Sequence, residues 1–311
     1  MKLKKPNFWD YKKPNFLSYL LLPFTILVTI NNLLLGLKTS NSQSNNIKTI
    51  CVGNIYVGGT AKTPLTIKIN QIFKNLNFKS AIVKKFYRDQ TDEQKILREK
   101  NRLYCFKSRK KSLDEAIKDN IDIAIFDDGL QDKSLNYDLK LVCFNNLKWI
   151  GNGFLIPAGP LREKIESISK YDAIFLNGND EDNSELKLKI KKYNHNIPVF
   201  ESYYNPININ EFKKNDKYLI FSGIGNPENF KNTLIKHEFN IIKELIFPDH
   251  HKYTLDNINK IKSYAKNLDA KILTTKKDYV KLNNDNEIKF LDIELVIKEE
   301  DKLIEFLKSV I

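Results

Sequence analysis

Residues 56–63 (YVGGTAKT) have the residue types that bind a nucleotide phosphate chain, in the order of a P-loop. Gly58 and Gly59 allow backbone N–H groups to turn inward around phosphate oxygens. The Lys62 ammonium can reach the β- and γ-phosphates, and the Thr63 hydroxyl can ligate Mg²⁺. An apolar strand predicted before the loop and a helix predicted after it favour a P-loop over a chance Gly-rich turn.

Two positions of this loop depart from the pattern G-x-x-x-x-G-K-[ST]. Tyr56 stands at the first glycine position, and Ala61 stands at the glycine that precedes the lysine. Alanine fits there when its φ angle is negative and strains the loop when φ is positive. We still expect Thr60 and Ala61 to bind the nucleotide together with the two glycines.

A pair of carboxylates follows an apolar stretch further along the chain. Residues 121–126 (IDIAIF) are predicted to form a buried strand that delivers Asp127 and Asp128 to its carboxyl end. In an open α/β sheet that end forms the ligand crevice, so these carboxylates could hold Mg²⁺ directly or through water. The alternative is an ordinary turn with an aspartate as a helix cap.

A P-loop alone is compatible with a GTPase, a motor ATPase or a small-molecule kinase. Thr275–Asp278 (TKKD) mimics the guanine-reading motif of GTPases. A GTPase would also need D-x-x-G, and Phe126 occupies the position of the required aspartate. The sequence disfavours a GTPase, although a membrane-tethered ATPase or GTPase switch with a protein partner stays open as an alternative.

Three further segments combine rigid turns with polar side chains. Residues 156–163 (IPAGPLRE) form a Pro/Gly loop that presents Arg162 beside Glu163. The segment FSGIGNP joins a strand to a helix, and Asn226 is the predicted helix cap. Residues 247–251 (FPDHH) place two histidines behind an acid, an arrangement that alone could be a surface turn.

The chain has 311 residues, about the length of two domains, and a formal net charge of +13 at pH 7. Only five of the 51 basic residues are arginine, the side chain best suited to forked contacts with phosphate. We therefore expect no nucleic-acid partner. The three cysteines form no CxxC pair and are expected to be free thiols.

The N-terminal segment has the composition of a membrane anchor. Lysines and aromatic residues precede the apolar run Phe16–Ile30, which Pro23 should kink and which Asn31 and Asn32 interrupt. A helix over this run would rise only about 22 Å, short of the roughly 30 Å hydrocarbon core. No small-residue cleavage site follows, so we predict an uncleaved anchor that lies in or dips into the bilayer. The alternative is a buried amphipathic helix of the folded domain.

Beyond the anchor, short apolar runs alternate with helical patterns. This predicts an α/β fold: a P-loop NTPase-like parallel sheet with helices on both faces and a second, smaller α/β domain. The predicted strands are 49–54, 80–83, 121–126, 139–144, 173–176, 198–201, 218–221 and 271–274, and the predicted helices are 62–76 and those beginning near 227 and 300. The predicted division is an anchor (1–38), a P-loop domain (47–203), a linker (204–216) and a C-terminal domain (217–311).

Taken together, the motifs resemble the tetraacyldisaccharide 4′-kinase family of lipid A biosynthesis. The blocks that carry the resemblance are, in order, Val52–Pro64, Asp92–Glu93, Asp127–Gln131, Pro157–Glu163, Gly223–Pro227, Phe247–His251 and Thr275–Leu282. Their order along nearly the whole chain is specific. The resemblance implies transfer of the γ-phosphate of ATP to the 4′-hydroxyl of a tetraacylated glucosamine disaccharide 1-phosphate, which forms lipid IVA.

The same resemblance implies the surroundings of the reaction. It implies ATP and Mg²⁺ as cofactors and the acylated lipid A precursor and the membrane surface as partners, and we infer no obligate protein partner. It places the enzyme at the cytoplasmic face of the bacterial inner membrane, anchored by the N-terminal helix. It also implies two α/β domains with the active site in the cleft between them.

Catalytic roles are carried over residue by residue. Asp92 matches the family's candidate base for the 4′-hydroxyl, and His250 matches the histidine that supports this aspartate from the second domain. Lys62 takes the P-loop role, and Arg162 matches an arginine placed at the phosphates.

The resemblance also implies a set of Mg²⁺ ligands. Thr63 supplies the P-loop hydroxyl, and Asp127 and Asp128 take the carboxylate roles, without a stated division between them. Glu163 pairs with the neighbouring arginine at the phosphates and the metal.

Two positions are candidates for substrate binding, and several depart from the family pattern. Arg109 lies where the family tends to carry an arginine, and Asn226 belongs to the GIGNP block. Asp132 replaces the usual histidine of DDG-x-QH, and Lys84–Tyr87 replaces an SRGY-like block. Ala61 replaces a glycine, which leaves a catalytically inactive lipid-binding relative as a further alternative.

Overall fold

The computed structural model describes residues 5–37, 47–88, 90–178, 182–282 and 285–309. The chain forms two compact units. The first comprises Met1–Phe86, Asn101–Tyr203 and Val296–Ile311, and the second comprises Tyr87–Lys100 and Tyr204–Leu295.

The secondary structure alternates between strands and helices after an all-helical N-terminal segment. The helices are α1 (Phe16–Leu21), α2 (Thr25–Leu37), α3 (Lys62–Asn75), α4 (Thr91–Lys100), α5 (Arg109–Lys118), α6 (Ser184–Lys191), α7 (Pro227–Lys236), α8 (Leu255–Asn267), α9 (Lys276–Tyr279) and α10 (Glu300–Lys308). The strands are β1 (Lys48–Gly53), β2 (Ser80–Lys85), β3 (Leu103–Phe106), β4 (Ile123–Asp127), β5 (Leu139–Asn145), β6 (Ala173–Gly178), β7 (Val199–Pro206), β8 (Lys217–Ser222), β9 (Asn240–Ile246), β10 (Lys271–Thr275), β11 (Ile288–Leu291) and β12 (Ile293–Ile297).

The first sheet has eight strands in the order β12-β7-β6-β5-β1-β4-β2-β3, and the pairs between β7 and β3 in this order are parallel. Its central strands are apolar because a parallel sheet is buried under its crossover helices. Val52 of β1 and Lys84 of β2 are both in register with Asp127 of β4. The carboxyl ends of these three strands therefore meet at one edge of the sheet.

The second sheet has four parallel strands in the order β11-β10-β8-β9. Alternate residues of its strand β8 point to opposite faces. Ile220 packs in one cluster with Leu234 of α7, and Phe221 packs in another with Ile261 of α8. The second unit is thus a three-layer α/β structure of its own.

The N-terminal segment is helical over a longer stretch than predicted. A 3₁₀ turn at Leu22–Phe24, which contains Pro23, separates α1 from α2, and α2 continues through Asn31 and Asn32, which interrupt the apolar run. Phe16–Leu34 is long and apolar enough to cross a membrane, and only 6% of it is buried. This exposure argues against the alternative of a buried core helix, whereas length and composition alone are weak support for a membrane span.

The α/β class and its parallel sheet are confirmed, and each predicted strand is present with bounds shifted by a few residues. Helix α4 was not predicted. The unit boundaries differ from the predicted division: α4 belongs to the second unit, α10 belongs to the first, and β7 extends into the predicted linker.

Candidate active site

The phosphate loop joins the carboxyl end of β1 to the first residue of α3, Lys62. The buried Asn54 side chain holds this loop from inside, because its Nδ2 donates to Thr60 Oγ1 at 3.0 Å and to the Tyr56 carbonyl. Gly58 has φ +148°, a conformation that a residue with a Cβ rarely adopts. Asn54 lies within the Val52–Pro64 block, but its residue type gave no signal of a functional role.

Ala61 has a positive φ angle, which is the conformation expected to strain an alanine at this position. Its φ and ψ are 66° and 23°, in the left-handed region, immediately before α3. The loop therefore keeps the backbone shape that a glycine would favour, at a cost of about 1–2 kcal/mol for an L-residue.

Tyr56, at the first glycine position, is buried against Leu155 and Leu161. Its hydroxyl donates to Asp10, which ties the phosphate loop to the N-terminal segment. The tyrosine ring therefore acts as a packing and anchoring residue rather than as a phosphate contact.

Asp127 ends β4 as a buried carboxylate beside the phosphate loop. Its Oδ2 accepts from Thr63 Oγ1 at 3.0 Å and from the Lys84 ammonium at 2.6 Å. Its Oδ1 is buried and has no hydrogen-bond partner among the described residues. The structure thus brings the predicted Mg²⁺ ligands Thr63 and Asp127 together and adds Lys84, which sequence reasoning did not place in the site.

Asp128 lies in a left-handed conformation, φ 59°, that turns its side chain towards the phosphate loop. Its Oδ1 is 3.8 Å from Lys62 Nζ and 3.3 Å from an Arg162 guanidinium nitrogen. Burial raises the pKa of this carboxyl, but Lys62, Arg162 and Lys84 outweigh burial and hold the pKa below its usual range. Asp128 is therefore an ionised acceptor for the two cations.

Gln131 connects Arg162 to its neighbour Glu163. It accepts from the Arg162 guanidinium at 3.1 Å, and its Nε2 donates to Glu163 Oε1 at 3.0 Å. The other Glu163 oxygen accepts from the Tyr171 hydroxyl at 3.0 Å. Glu163, a predicted metal ligand, thus lies in a hydrogen-bonded chain that holds Gln131.

Arg109 begins α5 and points back into the acidic turn. It is 6% exposed, forms an ion pair with Asp132 at 3.0 Å, and donates to the backbone carbonyl of Asp128. The predicted substrate arginine therefore supports the turn that carries Asp128. Asp132, where the family usually has a histidine, is the partner that neutralises it.

The second unit brings Asp92 and His250 into contact. Asp92 is 3% exposed, and both of its carboxylate oxygens lie 3.1 Å from His250 Nδ1. Since an ionised carboxylate only accepts, Nδ1 carries the proton in this pair. Burial raises the pKa of Asp92, but the His250 hydrogen bond and the charges of Lys277 and Lys281 hold it below its usual range.

This contact corrects one prediction. Residues 91–93 begin helix α4, and Asp92 is buried. Asp92 and His250 were expected on different domains, and both belong to the second unit. The reason is that α4 presents its first-turn acids to the cations of the second unit, which hold this helix there.

Two lysines of α9 and its C-terminal turn complete the cluster. Lys277 Nζ is 3.1 Å from Glu93 and 3.5 Å from His250 Nε2, and Lys281 Nζ is 3.5 Å from Asp92. A cavity of about 260 Å³ lies beside them, lined by Thr91, Asp92, Lys95, His250, His251, Lys252, Tyr253, Val280 and Lys281. Both Lys277 and Lys281 lie in the Thr275–Leu282 block, which the sequence analysis identified as one of the family motifs.

The resemblance of Thr275–Asp278 to a guanine reader has a structural explanation. Asp278 is fully buried, and its Oδ2 accepts from Gly223 N and from the Thr275 hydroxyl, each at 2.8 Å. Thr275 caps α9 by accepting from Asp278 N. Both hydrogen bonds lie within the second unit, so Asp278 stabilises the fold of that unit rather than binding a guanine base.

Asn226 occupies the predicted N-cap position of α7. Its side chain makes no capping hydrogen bond. Pro227 at the first helical position fixes a backbone angle that suits the start of the helix.

Comparisons with known proteins agree with these motifs. A family model described as tetraacyldisaccharide-1-P 4′-kinase matches residues 15–105 and 91–311. A tetraacyldisaccharide 4′-kinase of Pelagibacter ubique is 48% identical and aligns over 97% of this chain and 96% of its own length. One of Rickettsia canadensis is 34% identical, over 98% and 97%.

A solved structure shares the fold. The crystal structure of LpxK from Aquifex aeolicus in complex with ATP has a TM-score of 0.69 and 21% identity to this chain, and the match covers 95% of this chain and 99% of that one. With a matching family model and relatives of such identity along nearly the whole length, the chain belongs to the tetraacyldisaccharide 4′-kinase family.

Proposed function

We propose that this chain is a kinase that transfers the γ-phosphate of ATP to the 4′-hydroxyl of a tetraacylated glucosamine disaccharide 1-phosphate. Membership of the family supports this activity and gives no support to a nucleotide-dependent switch. The observation that carries the proposal is the buried Asp92 held by His250 Nδ1 at 3.1 Å. A carboxylate oriented in this way is suited to a hydroxyl acceptor, and a nucleotide switch has no need of it.

The nucleotide half of the reaction is assigned to the first unit. Lys62 and Arg162, which share Asp128, would bind the negative charge of the transferring phosphoryl group. Gly58, Gly59, Thr60 and Ala61 would supply backbone N–H groups around the phosphates. Gln131 would keep the Arg162 guanidinium in place through its 3.1 Å hydrogen bond.

The residues present fit a Mg²⁺ ion. The Thr63 hydroxyl and the buried Oδ1 of Asp127, which has no hydrogen-bond partner among the described residues, are oxygen ligands of the kind this ion prefers. The described part of the chain contains no cluster of three or more His, Cys, Asp or Glu residues that could hold a metal. This agrees with an ion held by one or two protein ligands, phosphates and water. When bound, Mg²⁺ neutralises phosphate charge during transfer.

The acceptor half is assigned to the second unit. Asp92 would orient the 4′-hydroxyl and accept its proton, while His250 holds the carboxylate by donating from Nδ1. The adjacent cavity carries Lys95, Lys252 and Lys281 among its lining residues. These cations suit an anionic acceptor such as a sugar phosphate.

The nature of the substrate and the N-terminal helices support a membrane location. The acyl chains of the acceptor stay in the bilayer, and the exposed apolar stretch Phe16–Leu34 is assigned as an anchor at the cytoplasmic face of the inner membrane. The full chain is expected in the membrane fraction, resistant to salt and extracted by detergent. Recovery in the soluble fraction without detergent would contradict the anchor.

The experiment that tests the activity follows ³²P transfer from γ-labelled ATP to the disaccharide 1-phosphate in detergent micelles. Asp92→Asn is expected to lower kcat by about 10²–10⁴-fold with unchanged affinity for an ATP analogue. Asp269→Asn, at an exposed position of the same unit, is the matched control. Hydrolysis of ATP without transfer to the lipid, or full activity of Asp92→Asn, would refute the proposal.

A further inference from the structure

Lys84 is a buried cation near the carboxyl end of β2, directly after three apolar residues. Residues 81–83 of β2 are Ala, Ile and Val and are fully buried, and Lys84, in the next position, is only 2% exposed. Its Nζ lies 2.6 Å from Asp127 Oδ2. Burying an ammonium group is costly unless a carboxylate pairs with it, so this arrangement persists because the two charges compensate each other.

The two oxygens of Asp127 have different surroundings. Oδ2 accepts from both Lys84 and Thr63, whereas Oδ1 has no hydrogen-bond partner among the described residues. Lys84 therefore fixes the rotation of the carboxylate and leaves one oxygen for a further ligand. The same ammonium acts on Asp128, whose pKa it helps to hold below its usual range.

A fixed positive charge at this edge of the sheet has opposite effects on the two components of Mg-ATP. It attracts the phosphate chain, which carries several negative charges, and it repels a divalent cation. Because the pair is buried, solvent and salt screen these interactions less than they would at the surface. The charge of Lys84 thus favours bound phosphate even when no metal accompanies it.

We propose that Lys84 is a second cation of the phosphate site, which positions Asp127 through Oδ2 and makes ATP binding less dependent on Mg²⁺. The inference rests on the proposed function, since it takes the P-loop as the nucleotide site. Lys84 and Lys62 would thus both bind the phosphates of the nucleotide.

The test measures the Kd of a non-hydrolysable ATP analogue for the full chain in detergent, once with excess Mg²⁺ and once with excess EDTA. The quantity compared is the ratio of the EDTA value to the Mg²⁺ value. In Lys84→Met this ratio should rise by about tenfold or more, because a nearby opposite charge favours the ionised form of a group by a factor of about ten or more.

Three further variants control the result. Lys84→Arg keeps the charge, and Lys79→Met removes an exposed lysine that precedes the same strand, so both should retain the wild-type ratio. Lys84→Gln removes the charge but keeps a donor for Asp127 Oδ2, so it reports on the charge even if Lys84→Met fails to fold.

The outcomes separate the two proposals. A ratio unchanged or lowered in Lys84→Met and Lys84→Gln would overturn the role of Lys84 and leave the kinase proposal intact. Failure of the wild-type chain to bind the analogue under either condition would instead overturn the proposed function, and this inference with it.

Discussion

Replacing Ala61 by glycine should stabilise the first unit, whereas an Ala→Gly change usually lowers the stability of a protein. The left-handed conformation of Ala61, φ 66° and ψ 23°, costs an L-residue about 1–2 kcal/mol, and glycine removes this cost. Glycine also gains about 0.4–1 kcal/mol of conformational entropy in the unfolded chain, which opposes the effect. The net change in the free energy of unfolding is therefore a gain of up to about 1.6 kcal/mol, with a central value of about 0.8 kcal/mol.

The two tryptophans make this gain measurable. Trp9 and Trp149 both belong to the first unit, so their fluorescence follows the unfolding of that unit. The midpoint of thermal unfolding should rise by about 1–3 °C. Ala116→Gly, at a buried position inside α5, is the control and should lower the midpoint, because there the backbone is helical and the methyl group is packed.

A fall in the midpoint for Ala61→Gly would refute the reasoning. It would mean that the alanine methyl group makes contacts worth more than the strain of the left-handed backbone. The comparison between the two Ala→Gly variants removes any general effect of glycine on the unfolded chain.

Two more predictions concern the second unit. Asp92 should remain ionised from pH 8 down to about pH 4, because its pKa lies below the ordinary 3.8. The contact between Asp92 and His250 therefore stabilises the folded state above pH 3.8, and this stabilisation is lost as the pH falls through the lowered pKa of Asp92. Infrared difference spectra between wild type and Asp92→Asn would show this, and a protonated-carboxyl band that appears between pH 7 and 5 would contradict it. Asp278→Ala should lower the stability of the second unit by about 1–3 kcal/mol, because it leaves the buried Gly223 N–H without its acceptor. Hydrogen exchange of β8 would measure the loss. A preference of the wild-type chain for GTP over ATP that Asp278→Ala abolishes would reinstate a guanine-reading role.

The phosphate half of the site was predictable because short-range patterns specify it. An apolar strand, a glycine turn and a helix start lie within about twenty residues, and the structure begins α3 at Lys62 as predicted. The parallel register then brings Asp127 to the same edge of the sheet. The sequence also indicated that the fit of Ala61 depends on its φ angle, but it could not decide whether that angle is positive or negative.

The acid–histidine half was not predictable from local patterns. Helix α4 is strongly polar, so hydrophobic periodicity gives no reason to bury it. Asp92 is buried because His250, Lys277 and Lys281 supply compensating charge, and these residues lie more than 150 positions away in the chain. Only the resemblance to a family pointed to Asp92, and it could not show that α4 belongs to the second unit.

Two departures from the family pattern change the charge around one turn, and the structure explains why the site tolerates them. Lys84 adds a buried positive charge that pairs with Asp127 at 2.6 Å, while Asp132 adds a negative charge that pairs with Arg109 at 3.0 Å. Each added charge is paired locally, so Asp128 keeps Lys62 and Arg162 as its own partners. The changes at these two positions thus leave Lys62 and Arg162 in place beside Asp128, which favours an active enzyme over an inactive lipid-binding relative.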